Sequence, residues 1–296
     1  MNNNGRQILL WFGRMALWLG MLVLLGTACT LIWWFASGGS QSTVSLKWGQ
    51  LVQTAGVFLL PPLICAVIFD SNYNPFRWLH LNRGADGLSV LLAIAIMLCA
   101  LPGINLLADL NGRLVLPDCL SGVEQWMKQY EQAAEQLMER FLQADNLWGL
   151  LLNIGLIALL PALGEELTFR GTVQQLLGGK PGEQGLTWKT HLAIWITAFL
   201  FSAIHMQFYG FVPRMLMGAM FGYVFVWTGS LWLPVLMHFT NNAMVVIVNY
   251  CFDQIAPESK NYADTLGAGT TWWLGLLSLV LTSLGLLIFY RRTRTR

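Results

Sequence analysis

The sequence predicts an all-α protein, a polytopic transmembrane bundle of about eight spans with one amphipathic helix outside the membrane. Three observations predict it. Hydrophobic residues make up 55% of the 296 positions and charged ones only 11%, against about 25% charged in soluble domains, and the mean hydropathy is +0.55. Apolar runs of about 20 residues, enough to cross ~30 Å of hydrocarbon, recur along the chain. Fourteen tryptophans, several near the ends of those runs, suit the membrane interfaces.

The expected spans are 8–36, 51–69, 88–108, 147–177, 190–208, 213–229, 231–251 and 271–290. The first run is long and lacks a small-residue cleavage site, so it is expected to remain as a helix. Pro61-Pro62 and Pro102 predict kinks in the second and third spans, because proline removes a donor and clashes with the preceding turn. The fourth span is too long for a straight crossing, and Pro161 offers a kink there. Between spans three and four, residues 118–146 form an amphipathic helical insertion. Val123, Trp126, Met127, Tyr130, Ala134, Leu137, Met138 and Phe141 recur at helical spacing, with Glu124, Lys128, Glu131, Glu135 and Glu139 on the other face. Its acidity disfavours anionic lipid, so packing on the bundle is expected, with a lid over a substrate entrance as the alternative. The whole chain, 1–296, reads as a single integral membrane domain with catalytic core helices in 147–251.

Basic residues set the orientation. Arg77 and Arg83 follow span two, Lys180 and Lys189 follow span four, and Arg291, Arg292, Arg294 and Arg296 form the tail, whereas 109–146 holds seven acids against three bases. With an even number of spans, the positive-inside rule then predicts that both termini are cytoplasmic; the chain is expected in a bacterial inner (plasma) membrane. A net charge of +2 gives no reason to expect nucleic acid as a partner. The five cysteines, at 29, 65, 99, 119 and 251, form no CxxC pair and predict neither a disulfide framework nor a thiolate zinc site. No internal repeat supports an inverted-repeat transporter.

Of fifteen acids, only Glu165 and Glu166 lie inside a hydrophobic stretch, where a carboxylate is expensive and marks function. Neighbours on a helix point about 100° apart, so one glutamate can face a common centre while the other needs its own partner. Arg170, four residues after Glu166, has the spacing for that pair. His205 lies late in span five. His238 and Asn242 share a face of span seven, and Asn241 points elsewhere, to cap or pack. Gln207, Tyr209 and Arg214 are expected to serve packing or hydration. Counted from the cytoplasmic span ends, Glu165 and His238 come about 10 Å deep and His205 about 20 Å, which predicts a cavity reached from the cytoplasmic half.

This set has a coherent chemistry. Glu165 would be a general base drawing a proton from water, and His205 would hold or activate that water. His238 and Asn242 would donate to the oxyanion of a scissile carbonyl, while Glu166 and Arg170 orient the site. The alternative is zinc held by Glu165, His205 and His238 with one position open for water; spacing does not separate the two.

At these residues the chain resembles the CAAX protease and bacteriocin-processing family, also called the Abi or type II CAAX prenyl endopeptidase family. The family is marked by Glu-Glu-x-x-x-Arg, Phe-x-x-x-His and His-x-x-x-Asn on successive membrane helices. They stand here as Glu165-Glu166-Leu-Thr-Phe-Arg170, Phe201-Ser-Ala-Ile-His205 and His238-Phe-Thr-Asn-Asn242. The resemblance covers about 150–245; residues 1–145 match no motif. It implies an eight-helix intramembrane endopeptidase acting on a peptide or protein substrate at or within the bilayer, by either a metal or a glutamate mechanism. Eukaryotic relatives trim prenylated proteins; in bacteria, peptide maturation or immunity is the commoner association. The rival expectations are a catalytically silent scaffold or bacteriocin-immunity-type protein and, below it, a proton-coupled transporter using the glutamate pair. The signatures His-Glu-x-x-His, Gly-x-Ser-Gly and Gly-x-Gly-Asp do not occur.

Overall fold

A backbone in hydrocarbon must satisfy its own polar groups, and helices do so within one segment. The computed structural model describes residues 3–40, 42–179, 181, 186–255 and 266–295, and among them no strand occurs. Lys180 and Arg296, used above for orientation, lie outside the described residues. The helices are α1 (Asn3–Ser37), α2 (Thr43–Phe69), α3 (Gly87–Gly112), α4 (Ser121–Leu142), α5 (Leu147–Gln174), α6 (Trp188–Ala203), α7 (Phe211–Thr228), α8 (Trp232–Ile255) and α9 (Trp272–Arg294). Several begin where a polar side chain accepts from the first turn. Ser42 caps α2, Asp86 α3, Asn146 α5 and Thr187 α6.

Seven helices among the described residues are long and apolar enough to cross a membrane, one fewer than expected. The exception is the fifth predicted span, 190–208. Its helix, α6, has 16 residues, about 24 Å at 1.5 Å per residue, and the apolar run beyond it is a turn in which Met206 has φ 54°. His205 therefore sits in the turn after α6 and not within its helix.

The predicted kinks take a particular form. Widened π turns occur at Ala55–Leu59, just before Pro61-Pro62, and at Ile154–Leu159, just before Pro161, where the proline removes the regular bond. A third π turn, Phe169–Gln174, ends α5 and carries Arg170. At Pro102 the break in α3 is bridged from another helix. The Ser278 hydroxyl of α9 accepts from the Gly103 amide at 2.9 Å and donates to the Cys99 carbonyl, entering the ladder of α3.

The core sits where α3, α7, α8 and α9 meet, around Met97, Phe221, Val224, Leu233, Met237 and Phe289, and it continues between α2, α5 and α7 around Ala66, Leu167 and Phe225. α1 is peripheral: Leu9, Phe12, Val23, Leu24 and Phe35 face outward, as a lipid-facing helix requires. Arg292 pairs with Asp86 at 2.9 Å, which puts the basic tail at the N-terminal end of α3. α4 follows from the opposite end of α3.

Candidate active site

α5 carries the two glutamates and they part ways as their angular separation requires. Glu166 is fully buried. Its Oε1 pairs with Arg170 Nη1 at 2.5 Å and accepts from His238 Nδ1 at 2.9 Å. Arg170, also fully buried, donates to the Gly218 carbonyl of α7 at 2.9 Å and lies over the rings of Phe201 and Phe221, 4.6 and 5.2 Å from their centroids. Gly218 permits this approach of α7 to α6: a Cβ there would lie 3.1 Å from the Phe201 ring and 3.2 Å from the Ala198 backbone. One turn on, Gln174 donates to the Gly222 carbonyl at 3.2 Å, so α5 grips α7 through two buried side chains.

Glu165 faces the other way, into a cavity of about 550 Å³ that it shares with His205, His238, Asn241 and Asn242. Its Oε2 lies 3.9 Å from His205 Nε2 and 3.9 Å from His238 Nε2. Nδ1 of His205 is 2.8 Å from the Phe201 carbonyl, which can only accept, and Nδ1 of His238 faces the Glu166 carboxylate. Each Nδ1 therefore carries a hydrogen, and in the neutral rings each Nε2 presents a lone pair to Glu165. Three acceptors converge, and Glu165 Oε2 is buried with no hydrogen-bond partner among the described residues.

The rings hold these groups in place. Phe201 meets His205 and His238 edge-on at 5.3 and 5.7 Å, and Phe221 stacks on His238 at 5.5 Å. The turn bearing His205 is tied to the C-terminal end of α3, where Asn111 donates to the Phe208 carbonyl at 2.8 Å. From above, α4 sets Trp126 on Phe208 and its Glu131 accepts from the Tyr209 amide at 3.4 Å.

The structure thus brings together Glu165, Glu166, Arg170, His205, His238 and Asn242. Three expectations change. Asn241 does not point away: it lines the same cavity and its Nδ2 donates to Asn242 Oδ1 at 3.1 Å. His238 commits its Nδ1 hydrogen to Glu166, so in the neutral ring it faces the cavity as an acceptor and not as the expected donor. The cavity also does not run toward the basic end. Its wall climbs α5 from Glu165 through Pro161, Ile157 and Leu156 and is roofed by Ala134, Leu137, Met138 and Phe141 of α4. That is the end of α3 opposite the arginine tail.

Gln207 and Arg214, expected to serve packing or hydration, both line the cavity. A charged side chain just past an apolar run was the signal available for Arg214. The ring roles of Phe221 and the grip of Gln174 had none, since a buried aromatic or amide on a helix is ordinary.

The donor set of one carboxylate and two imidazoles matches zinc in kind. Its 3.9 Å separations lie between the about 3.4 Å edge of a tetrahedral zinc site and the about 4.6 Å between two acceptors on one water. Among the described residues no group of three or more His, Cys, Asp or Glu stands in metal-holding geometry.

Residues 147–244 match the family model described as type II CAAX prenyl endopeptidase Rce1-like. The match covers about a third of the chain. The Rce1-like segment contains every motif residue of the site. A Bacillus subtilis (strain 168) protein described as uncharacterized protein YpbD is 27% identical over 96 residues, 31% of this chain and 43% of its own length. The chain thus matches under half of that relative. No solved structure matches it.

Proposed function

We propose that the chain is an intramembrane endopeptidase in which Glu165 activates water. The observation that carries this reading is the convergence of three acceptors, Glu165 Oε2, His205 Nε2 and His238 Nε2, on the floor of a cavity of peptide-binding size. None can donate to another, and water supplies two O–H donors to such a set. Water gives one proton to Glu165 as the water oxygen bonds to the peptide carbonyl carbon. The same proton then passes to the amide nitrogen as the C–N bond breaks, which returns Glu165 to its starting form.

The other residues position these groups. Glu166 holds the tautomer and aim of His238, and Arg170 neutralises Glu166. Asn241 occupies Asn242 Oδ1, which turns the Asn242 amide hydrogens to the developing oxyanion. Zinc, if bound by Glu165, His205 and His238, would polarise the carbonyl and acidify its water. The family context and the apolar helices support a substrate reached in the bilayer.

The basic residues support cytoplasmic termini, with α6 crossing despite its length. The mouth beneath α4 then opens on the opposite face. In a cysteine-free background, a cysteine at Gln207 should react with a membrane-impermeant maleimide added outside intact cells, and one at Arg294 only after permeabilisation. The reverse pattern would invert the topology.

The test of activity is purified protein in detergent on a quenched peptide library, with and without a chelator. Cleavage by wild type and none by Glu165→Ala is expected. Equal activity in both, or none in either at matched melting temperature, would end the hydrolase reading. Loss on chelation with rescue by zinc would select the metal scheme.

A further inference from the structure

The proteolytic scheme leaves one cation in the cavity without a task. Arg214 stands in the first turn of α7 and lines the same wall as Glu165 and His205. Its Nη2 donates to Gln207 Oε1 at 2.6 Å and its Nη1 to the Gln207 carbonyl at 3.4 Å. Both partners are neutral. Among the described residues no carboxylate lies within 4.0 Å of its guanidinium; the charges that act on it from further away are Glu131 on α4 and Glu165.

Arg170 shows what this chain does with an arginine that serves structure alone. That guanidinium is buried, capped by two rings and paired with Glu166. Arg214 has the opposite arrangement. An amide fixes one edge of its fork and the rest faces open cavity, although a cation withdrawn from water is costly without a counter-charge. The guanidinium fork matches a carboxylate in two parallel hydrogen bonds. Gly210 gives it room, since a Cβ there would lie 3.2 Å from Nη2.

We propose that Arg214, oriented by Gln207, is an anion subsite that receives a carboxylate of the bound peptide and so sets which peptides are held over Glu165. This rests on the peptidase reading for the identity of the ligand. The carboxylate has two sources, the peptide's own terminus or an Asp or Glu side chain.

Binding separates the inference from catalysis. Four pools of fluorescein-labelled decapeptides with randomised apolar residues serve as probes: free acids, amides, amides carrying one Glu, and amides carrying one Gln. They are titrated onto the full chain bearing Glu165→Gln, in detergent. One of the carboxylate pools should bind about 10- to 100-fold more tightly than its neutral match, as for a lost hydrogen bond to a charged group, and which pool does so names the source. Arg214→Gln should bring that ratio to about one and leave the neutral pools unchanged, and Arg214→Lys should keep part of it. Should Arg214→Gln fail to fold, Gln207→Ala should lower the ratio several-fold without removing it. A ratio that survives Arg214→Gln, or the absence of any carboxylate preference with Arg214 in place, overturns the subsite. Carboxylate preference with no cleavage by wild type would overturn the peptidase reading alone.

Discussion

Glu165 and Glu166 are consecutive on α5, yet one carboxylate is sealed between Arg170 and His238 while the other keeps 12% of its side chain exposed and meets two imidazole nitrogens only at 3.9 Å. The helix explains the divergence. A step of about 100° turns one residue into the packed seam with α7 and α8 and its neighbour into the cavity. Paired and dry, Glu166 can only organise. Glu165, unpaired beside two lone pairs, can exchange protons. The comparison teaches that in a bundle the partner set of a buried acid decides its work more than its place in the sequence does.

The two glutamates should therefore fail differently. The largest effect is expected at Glu165. Glu165→Gln should lower the cleavage rate by about 10²- to 10⁴-fold, the usual contribution of a general base, with the melting temperature held. A full-rate Glu165→Gln would erase the contrast. Glu166→Ala comes next and acts on the fold. It leaves the Arg170 charge uncompensated, a loss of about 3–5 kcal/mol, read as a fall in melting temperature in detergent. Adding Arg170→Met to Glu166→Leu should recover much of that stability without activity, which a double-mutant cycle would register as coupling between the two sites.

Smaller effects sharpen the same division. Gly218→Ala pushes a methyl against Phe201 and Ala198, an overpacking worth about 1–3 kcal/mol; stability and rate should fall together, because Phe201 touches both Arg170 and the histidines. Asn241→Ala removes one neutral hydrogen bond to Asn242, worth about 0.5–1.5 kcal/mol. It should slow cleavage by up to about tenfold and leave melting unchanged. Loss of stability there instead would return Asn241 to packing.

Much of this site was readable in the sequence because charge inside an apolar run is rare and helical spacing predicts faces. Glu166 with Arg170 and His238 with Asn242 follow from that spacing. What escaped has physical causes. The π turns at Ile154–Leu159 and Phe169–Gln174 each add a residue to a turn, so counting along α5 at 3.6 per turn loses register on both sides of the glutamates. His205 was placed inside a span because the apolar run outlasts its helix, whose end is set by the turn that Asn111 and Met206 shape. The direction of the cavity depends on how α4 folds back, and amphipathicity alone does not encode that. The angular rule that separates the glutamates also sends Asn241 away from Asn242, but a cavity of this width admits two adjacent residues of α8.

The Ser278 hydroxyl that bridges α3 at Pro102 also ties two helices into one unit. Gly103 and Cys99 supply the amide and the carbonyl of one ordinary helical turn, and the hydroxyl stands between them as both acceptor and donor. Any motion that slides α9 along α3 must withdraw that hydroxyl from the ladder of its neighbour, so the two helices move together.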